Sequence, residues 1–357
     1  MSSGPRILIA GAGVFGSAIA LELARRGLAV TLVDPAWPGD NASGVAAGML
    51  APAFEALLDE TSGGHFPMLL AARDLWPGLI DEAAVGLQRG GAAWLALDDD
   101  PPDLIEAHRV RLAGMGADPR LWTAEDTALR ASGLGGRICA ALFSAIDWRL
   151  SPPRALPALQ AAAQAVGARL VQDRVVGWAP GRAHLAGGGG LEADTLILAT
   201  GAATGLAPEL DVLTPIKGHI LRYGGAAADN EPTLRCRLGY ASGGPDGLWV
   251  GATMEAGASD RAVDPGQVEG LRRLATMLKP ALADAPFTAA TGVRATSPDG
   301  LPLVGPSAEA GVFLAAGARR NGWLLAPLVA RLAAAHLGGG EPGSHAALLN
   351  PRRFAGK

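Results

Sequence analysis

The chain has 357 residues and a formal net charge of −4, so it is long enough for two domains or for one domain with a large insertion. The slight excess of acidic residues argues against a surface built to bind the phosphates of nucleic acid. Cys139 and Cys236 lie far apart without CxxC or histidine spacing. This spacing fits a reducing compartment, and it fits neither a disulfide framework nor a zinc site.

No stretch offers the ~20 consecutive apolar residues that a membrane-spanning helix needs. The apolar segment at residues 6–16 runs directly into a glycine motif, which argues against a cleaved signal peptide. We therefore predict a soluble cytoplasmic protein without a metal. The composition leaves the oligomeric state open, a homo-oligomer included.

The segment RILIAGAGVFGSAIALELARRGLAVTLVDP, residues 6–35, predicts a buried strand, a tight turn, a helix and a second strand. Gly11, Gly13 and Gly16 complete G-x-G-x-x-G. In such a motif the first glycine permits the turn, the second lets the backbone approach a pyrophosphate, and the third lets the helix pack on the strand. The pyrophosphate would lie at the helix N-terminus.

Asp34 ends the second predicted strand, 18 residues after Gly16, where a carboxylate would bind the ribose of a dinucleotide. Alone, the glycines could form an ordinary turn and Asp34 could be a solvated turn residue. The register of strand, glycines and acid favours dinucleotide binding.

The next segment, NASGVAAGMLAP, residues 41–52, suggests which dinucleotide binds. A nicotinamide dehydrogenase would continue here with a third strand and helix, whereas this segment predicts a loop of small residues that could pass against a flat ring system. A flexible linker is the alternative, but Val45, Met49 and Leu50 make the segment too apolar for one.

At this point the sequence resembles the D-amino-acid oxidase superfamily of FAD enzymes, and it is most similar to the members that oxidise glycine for thiamine biosynthesis. Beyond the two segments above, the stretches that carry the resemblance follow the family's order. They are DWRLSPPRALPAL (147–159), LILATGA (196–202), TPIKGHILR (214–222), VGATMEAG (250–257), TGVRATSPDGLPLVGP (291–306) and RNGWLLAP (320–327).

The resemblance implies an α/β (α+β) fold. An FAD-binding Rossmann-like domain of the glutathione-reductase/hydroxybenzoate-hydroxylase type would be interleaved with a substrate domain that has a mainly antiparallel sheet. We expect the FAD-binding parts at 1–75, 147–210 and 290–357, and the substrate-binding parts at 76–146 and 211–289.

The resemblance also implies noncovalent FAD, because neither cysteine lies in the C-terminal region where flavin-linked relatives place theirs. Val175 would contact adenine through its backbone, with a one-residue ambiguity against Val176. The cofactor-binding residues would be Gly11, Ala12, Gly13, Val14, Phe15, Gly16, Asp34, Pro35, Ala42, Ser43, Ala47, Gly48, Met49, Val175, Ala199, Thr200, Gly201, Arg320, Asn321, Gly322, Trp323 and Leu324.

The implied activity is the oxidative deamination of glycine, sarcosine or a small D-amino acid. A hydride would pass from the α-carbon to flavin N5, giving an oxo acid, ammonia and, with O2, hydrogen peroxide. Such chemistry requires no acid–base dyad, and the six histidines are scattered. Alternatives are a dehydrogenase that uses another electron acceptor, and a flavoprotein subunit without catalysis.

Arg294 matches the family's carboxylate-binding arginine, because a guanidinium fork binds a carboxylate through two parallel hydrogen bonds. The alternative is a surface arginine paired with Asp299. Tyr240 matches a tyrosine that helps to hold the carboxylate, and Met254 matches a residue that lines the substrate pocket. For these two, the alternatives are a sheet aromatic and core filler.

Lys217 and His219 could face the active site, although a structural or surface role is the simpler interpretation. Arg320 matches a family arginine near the flavin, which would also help to bind and orient the substrate. It stands beside a helix whose N-terminus would stabilise the reduced ring.

Arg319 departs from the family pattern, as do the residues after Tyr240 and after Arg294. We therefore expect these departures to affect substrate choice rather than FAD binding. An extra cation at Arg319 would favour an acidic or larger amino acid, or it would point to solvent.

Overall fold

The computed structural model describes residues 4–36, 40–58, 64–131, 133–225 and 231–355. Its first three elements are the strand Arg6–Ala10, the helix Val14–Arg25 and the strand Ala29–Val33, with the two strands parallel. The predicted strand–turn–helix–strand unit is confirmed.

These elements belong to a six-stranded sheet. Its neighbouring strands are parallel, except for the antiparallel pair Leu303–Pro306 and Val312–Ala316. The order is Leu303–Pro306, Val312–Ala316, Thr195–Leu198, Arg6–Ala10, Ala29–Val33 and Arg169–Val171. A core of buried aliphatic and aromatic side chains joins this sheet to helices Val14–Arg25, Pro152–Ala165 and Gly322–Gly338. Strands buried in this way read as continuous apolar runs, as residues 7–10 do.

A larger nine-stranded sheet is antiparallel apart from one parallel pair, Ala92–Leu97 with Thr233–Cys236. Along its main path the strands are Glu255–Ala256, Thr214–Tyr223, Gly247–Gly251, Gly239–Gly244, Thr233–Cys236, Ala92–Leu97, Ile138–Ser144 and Arg120–Thr123, and Phe287–Thr296 also pairs with Thr214–Tyr223. Helices Leu104–Gly114, Ala124–Arg130 and Pro265–Leu278 accompany it. The predicted mixed fold with a mainly antiparallel second sheet is confirmed.

Smaller elements complete the described chain. Strands Val175–Ala179, Arg182–Leu185 and Gly190–Glu192 form an antiparallel meander, and Met49–Leu50 pairs with Trp148–Arg149. The remaining helices are Ala42–Val45, Pro52–Leu58, Phe66–Asp74, Trp76–Leu79 and His345–Leu349, with 3-10 turns at Pro208–Val212, Pro280–Leu282 and Pro351–Phe354.

The chain passes between the two large sheets several times, as an interleaved arrangement requires. The strand Phe287–Thr296 runs across residue 290, where the sequence places a boundary, so a division at this point would cut one strand. The domain boundaries stay a prediction. Within the parts of the chain that the structure describes, no helix is long and apolar enough to cross a membrane.

Candidate active site

A cavity of about 780 Å³ lies where the carboxyl ends of three parallel strands meet residues of the nine-stranded sheet. Gly11, Asp34 and Ala199 follow the three strands directly and line the cavity. In open parallel sheets this edge is the usual ligand site, and the volume lies in the range of small-molecule and cofactor sites.

The three motif glycines have different geometric roles. Gly11 has φ +106°, and a Cβ there would lie 2.3 Å from the carbonyl oxygen of Ala199. A Cβ at Gly16 would lie 1.8 Å from the Gly11 carbonyl oxygen, so Gly16 allows the helix to approach the turn. Among the described atoms, a Cβ at Gly13 would meet only Ser43 Oγ, at 3.2 Å. Gly13 therefore keeps the cavity open at the helix N-terminus, where an anion is favoured.

Asp34 is 8% exposed and fixes the turn. Its carboxylate accepts the N–H of Ala12 at 2.6 Å and that of Ala36 at 2.8 Å. Next to this turn, Val14 N–H donates to Ser43 Oγ at 3.0 Å. The predicted ribose-binding acid thus lies at the cavity wall beside the helix N-terminus.

Residues 41–52 are more ordered than the predicted loop. Asn41 accepts the Gly44 N–H at 3.0 Å and caps the one-turn helix Ala42–Val45, and the short strand Met49–Leu50 follows. Gly48 has φ +73°, and a Cβ there would lie 2.2 Å from the Leu150 carbonyl oxygen. The prediction of a plain loop was wrong because a side-chain cap stabilises this turn.

Most predicted cofactor residues line the cavity. Ala12, Gly16 and Leu324 do not: Ala12 and Leu324 are 1% exposed, and Gly16 packs against the turn. Val175 lines the cavity, whereas Val176 is 53% exposed and does not. The predicted cofactor residues on the wall are Gly11, Gly13, Val14, Phe15, Asp34, Pro35, Ala42, Ser43, Ala47, Gly48, Met49, Val175, Ala199, Thr200, Gly201, Arg320, Asn321, Gly322 and Trp323.

We call the part of the cavity around Gly11, Gly13, Asp34, Ser43 and Val175 the glycine end. The part around Glu55, Arg235, Tyr240, Arg294 and Arg320 is called the arginine end.

Arg294 projects from the strand Phe287–Thr296 into the arginine end, where its Nη2 donates to the Thr253 carbonyl at 3.3 Å. Asp299 binds Arg353 instead, with Nε to Oδ2 at 2.7 Å, so the surface pair of Arg294 with Asp299 does not form. Burial lowers the pKa of the Arg294 guanidinium, with Tyr240 and Arg320 among the neighbouring ionisable groups.

Tyr240 lies on the strand Gly239–Gly244, and desolvation raises the pKa of its hydroxyl to about 12. The hydroxyl therefore keeps its proton at neutral pH and can donate a hydrogen bond. Two glycines make room for the pair of side chains. A Cβ at Gly218 would lie 1.9 Å from Arg294 Nη2, and a Cβ at Gly251 would lie 2.8 Å from the Tyr240 hydroxyl.

The sequence prediction did not include two charged residues of the arginine end. Glu55 and Arg235 are 4% and 5% exposed, and Arg235 Nη2 donates to Glu55 Oε1 at 2.8 Å. Glu55 Oε2 lies 2.9 Å from Arg320 Nη2. The available signal was a single acid in the otherwise apolar helix PAFEALL and an arginine inside the buried strand TLRC.

Met254 also lines the cavity, and 44% of its surface is exposed. Lys217 and His219 do not line it. Lys217 Nζ binds Asp260 at 2.6 Å, and His219 lies between Glu255, at 2.9 Å from Nδ1, and the Asp264 N–H, which donates to Nε2 at 2.9 Å. Their simpler, structural interpretation fits these contacts.

Arg319 and Arg320 both line the cavity. Arg319 has φ +48°, which is uncommon for a residue other than glycine, and its N–H donates to the Ala295 carbonyl at 2.8 Å. The helix Gly322–Gly338 begins next to them, and Trp323 Nε1 donates to the Ser43 carbonyl at 3.0 Å. The positive end of this helix therefore faces the cavity.

Comparison with known proteins agrees with this geometry. Residues 6–336 match the DAO family, described as FAD dependent oxidoreductase. The chain belongs to this family, and its cofactor is FAD.

Among individual proteins, a glycine oxidase of Geobacillus kaustophilus (strain HTA426) is 32% identical over 352 residues, which cover 92% of this chain and 91% of that protein. A glycine oxidase of Pseudomonas aeruginosa PAO1 is 31% identical over 379 residues, covering 98% of each. The crystal structure of glycine oxidase from Geobacillus kaustophilus matches with a TM-score of 0.87 at 29% identity, covering 99% of this chain and 100% of that one.

Proposed function

We propose that this oxidoreductase catalyses the oxidative deamination of glycine or another small amino acid, such as sarcosine or a D-amino acid. Water would hydrolyse the resulting imine to an oxo acid and ammonia, or to an oxo acid and methylamine for sarcosine, with hydrogen peroxide when O2 is the electron acceptor. The observation that carries the proposal is the position of Arg294, which projects into the FAD-family cavity without an acidic partner at Asp299. The names of the relatives support an amino acid as substrate.

The glycine end fits the dinucleotide part of FAD. Gly13 leaves the helix N-terminus open to a pyrophosphate, and the Asp34 carboxylate stands at the end of the second strand, where a ribose would lie. Ala42, Ser43, Ala47 and Gly48 present small side chains along the wall. When bound, the flavin ring accepts the hydride, which is chemistry that no protein side chain supplies.

The arginine end would bind and orient the amino acid. The Arg294 fork would hold the substrate carboxylate through two parallel hydrogen bonds. The protonated Tyr240 hydroxyl would donate a third. Together these groups fix the α-carbon against the cofactor, and such positioning is the main contribution of a protein to hydride transfer.

The experiment is anaerobic mixing of the FAD-loaded protein with glycine, sarcosine, N-alkyl glycines and D-amino acids. We expect at least one of them to bleach the flavin absorbance. If none does, the proposed function fails for these substrates, and a yellow protein without turnover would favour a non-catalytic subunit. Peroxide yield with and without an artificial acceptor then separates an oxidase from a dehydrogenase. Cytoplasmic location, noncovalent attachment of FAD and a role in thiamine biosynthesis stay predictions.

A further inference from the structure

The arginine end contains a buried carboxylate that the proposed reaction does not use. Glu55 lies in the helix Pro52–Leu58, between the guanidinium groups of Arg235 and Arg320, at 2.8 Å and 2.9 Å. All three residues line the cavity. A buried charge is retained only where partners compensate its desolvation.

We propose that Glu55 is a positioning residue, which holds Arg235 and Arg320 at the arginine end of the cavity for a bound carboxylate. The proposal rests on the proposed function only in the identity of this ligand. Three separate parts of the chain meet at the Glu55 carboxylate: a helix, the strand Thr233–Cys236 and the turn before the helix Gly322–Gly338. Without Glu55, two guanidinium groups would share a buried site and would repel each other.

The helix that carries Glu55 is itself held at its N-terminus by another buried carboxylate. The buried carboxylate of Asp147 accepts the N–H of Ala53 at 2.8 Å and that of Phe54 at 3.0 Å. These are the first free donors of the helix, and their capping fixes its start. The position of Glu55 in the cavity is therefore set by a contact between Phe54 and Asp147, which are 93 residues apart in sequence.

The effect of Glu55 also reaches Tyr240. In the antiparallel pair of strands Thr233–Cys236 and Gly239–Gly244, Arg235 stands directly opposite Tyr240. Side chains in such cross-strand pairs lie about 5 Å apart at Cβ. An arginine released from Glu55 would thus be free to move beside the predicted substrate tyrosine.

The test compares Glu55→Gln with a matched control, Glu231→Gln. Glu231 is also a buried carboxylate with a cationic partner, Lys279 Nζ at 2.6 Å, but it does not line the cavity. Binding of glycolate, a small carboxylate, is measured on each FAD-loaded protein through the change in flavin absorbance. Thermal unfolding is measured on the same samples.

We expect Glu55→Gln to raise the Kd for glycolate about tenfold or more, whereas Glu231→Gln changes it less than about twofold. Both variants should unfold at a lower temperature. Arg235→Met should raise the Kd in the same direction by less, because Glu55 still holds Arg320. The double variant Glu55→Gln/Arg235→Met should bind glycolate no more weakly than Glu55→Gln alone.

The proposal is overturned if Glu55→Gln and Glu231→Gln lower the unfolding temperature alike and leave the Kd alike, because Glu55 would then be merely structural. A lower Kd for glycolate in Glu55→Gln also overturns the proposal, since Glu55 would then act only by repelling the glycolate carboxylate. Absence of glycolate binding by the unmodified protein overturns it too. Glycolate binding requires no turnover. The comparison of Kd values therefore still tests the role of Glu55 if no amino acid reduces the flavin and the proposed function fails.

Discussion

At its glycine end the cavity is walled by backbone and small side chains, whereas at its arginine end it is walled by long charged ones. The glycine end comes largely from local sequence, since Gly11, Gly13 and Gly16 lie within one turn and helix start. The arginine end comes from residues far apart in the chain, such as Glu55 and Arg235, 180 residues apart. One end depends on the absence of side chains and the other on their mutual placement.

The largest expected effects separate two glycines of the same motif. Gly16→Ala would place a Cβ 1.8 Å from a backbone oxygen, so we expect it to lower the free energy of unfolding of the apoprotein by more than ~3 kcal/mol. Gly13→Ala should change it by less than about 1 kcal/mol but raise the Kd for FAD at least ~tenfold, because the new methyl group points at the approaching phosphates. The measurements are urea unfolding and flavin fluorescence titration. Equal FAD affinity of Gly13→Ala and the unmodified protein would exclude the predicted pyrophosphate position.

At the arginine end the largest effect should come from Arg294→Ala. Loss of two charge-assisted hydrogen bonds should lower kcat/KM about 100-fold or more, chiefly through KM. The kcat/KM of Arg294→Lys should lie between those of the unmodified protein and of Arg294→Ala, because lysine keeps the charge but lacks the planar fork. Steady-state kinetics over the amino-acid panel and an FAD titration check this. An unchanged KM would remove Arg294 from the substrate site, while an altered Kd for FAD would place it at the wrong end of the cavity.

The two ends also differ in how far sequence could predict them. A glycine turn followed by an acid is a local pattern, and the structure places Gly11, Gly13 and Asp34 at the cavity as expected. Arg294 and Tyr240 could be selected only through the family resemblance, because an arginine in a strand carries no local mark of its partner. The space that these two side chains occupy also depends on Gly218 and Gly251, because a Cβ at either glycine would meet one of them. The sequence alone does not reveal this role of the two glycines.

Glu55 and Arg235 illustrate what local reasoning misses. A charged residue in an apolar helix signals a buried partner, but the pattern does not say where in the chain the partner lies. Similarly, residues 42–45 are helical because the Asn41 side chain caps them, which composition alone did not indicate. Arg319 was recognised as a departure from the family, and its left-handed backbone at the cavity wall could not be predicted from an Ala-Arg-Arg sequence.

Asp147, which supports the arginine end, should make stability depend on pH. Burial raises the pKa of its carboxyl to about 7, although the N–H groups of Ala53 and Phe54 oppose this. Since the unfolded carboxyl titrates near 4, the folded protein retains a proton that the unfolded chain has lost. Its contribution to stability is therefore lost as pH rises from about 4 to 7. Between pH 5 and pH 8, the free energy of unfolding of the unmodified protein should fall by on the order of 2 kcal/mol more than that of Asp147→Asn.

Urea unfolding of both proteins at the two pH values measures this difference. Asp126→Asn is the matched control, because Asp126 also binds a backbone N–H at the start of a helix but is partly exposed, and hydrogen bonds from the side chain and the backbone N–H of Thr123 lower its pKa. Its stabilising contribution is complete above about pH 4, so its effect should be equal at pH 5 and pH 8. A pH-independent difference for Asp147→Asn would show that Asp147 stays ionised in its buried position.

The smallest effect concerns the chain's two tyrosines, only one of which lines the cavity. Tyr240→Phe removes one neutral hydrogen-bond donor from the arginine end, which is worth about 1 kcal/mol, so kcat/KM should fall about fivefold. Tyr223→Phe should leave kcat/KM unchanged, because Tyr223 is 2% exposed and packs against Phe287 in the core of the large sheet. Steady-state kinetics of the two variants on the same substrate decide the point. If both tyrosines can be replaced without a change in kcat/KM, Arg294 holds the carboxylate without the hydroxyl, and the role predicted for Tyr240 is excluded.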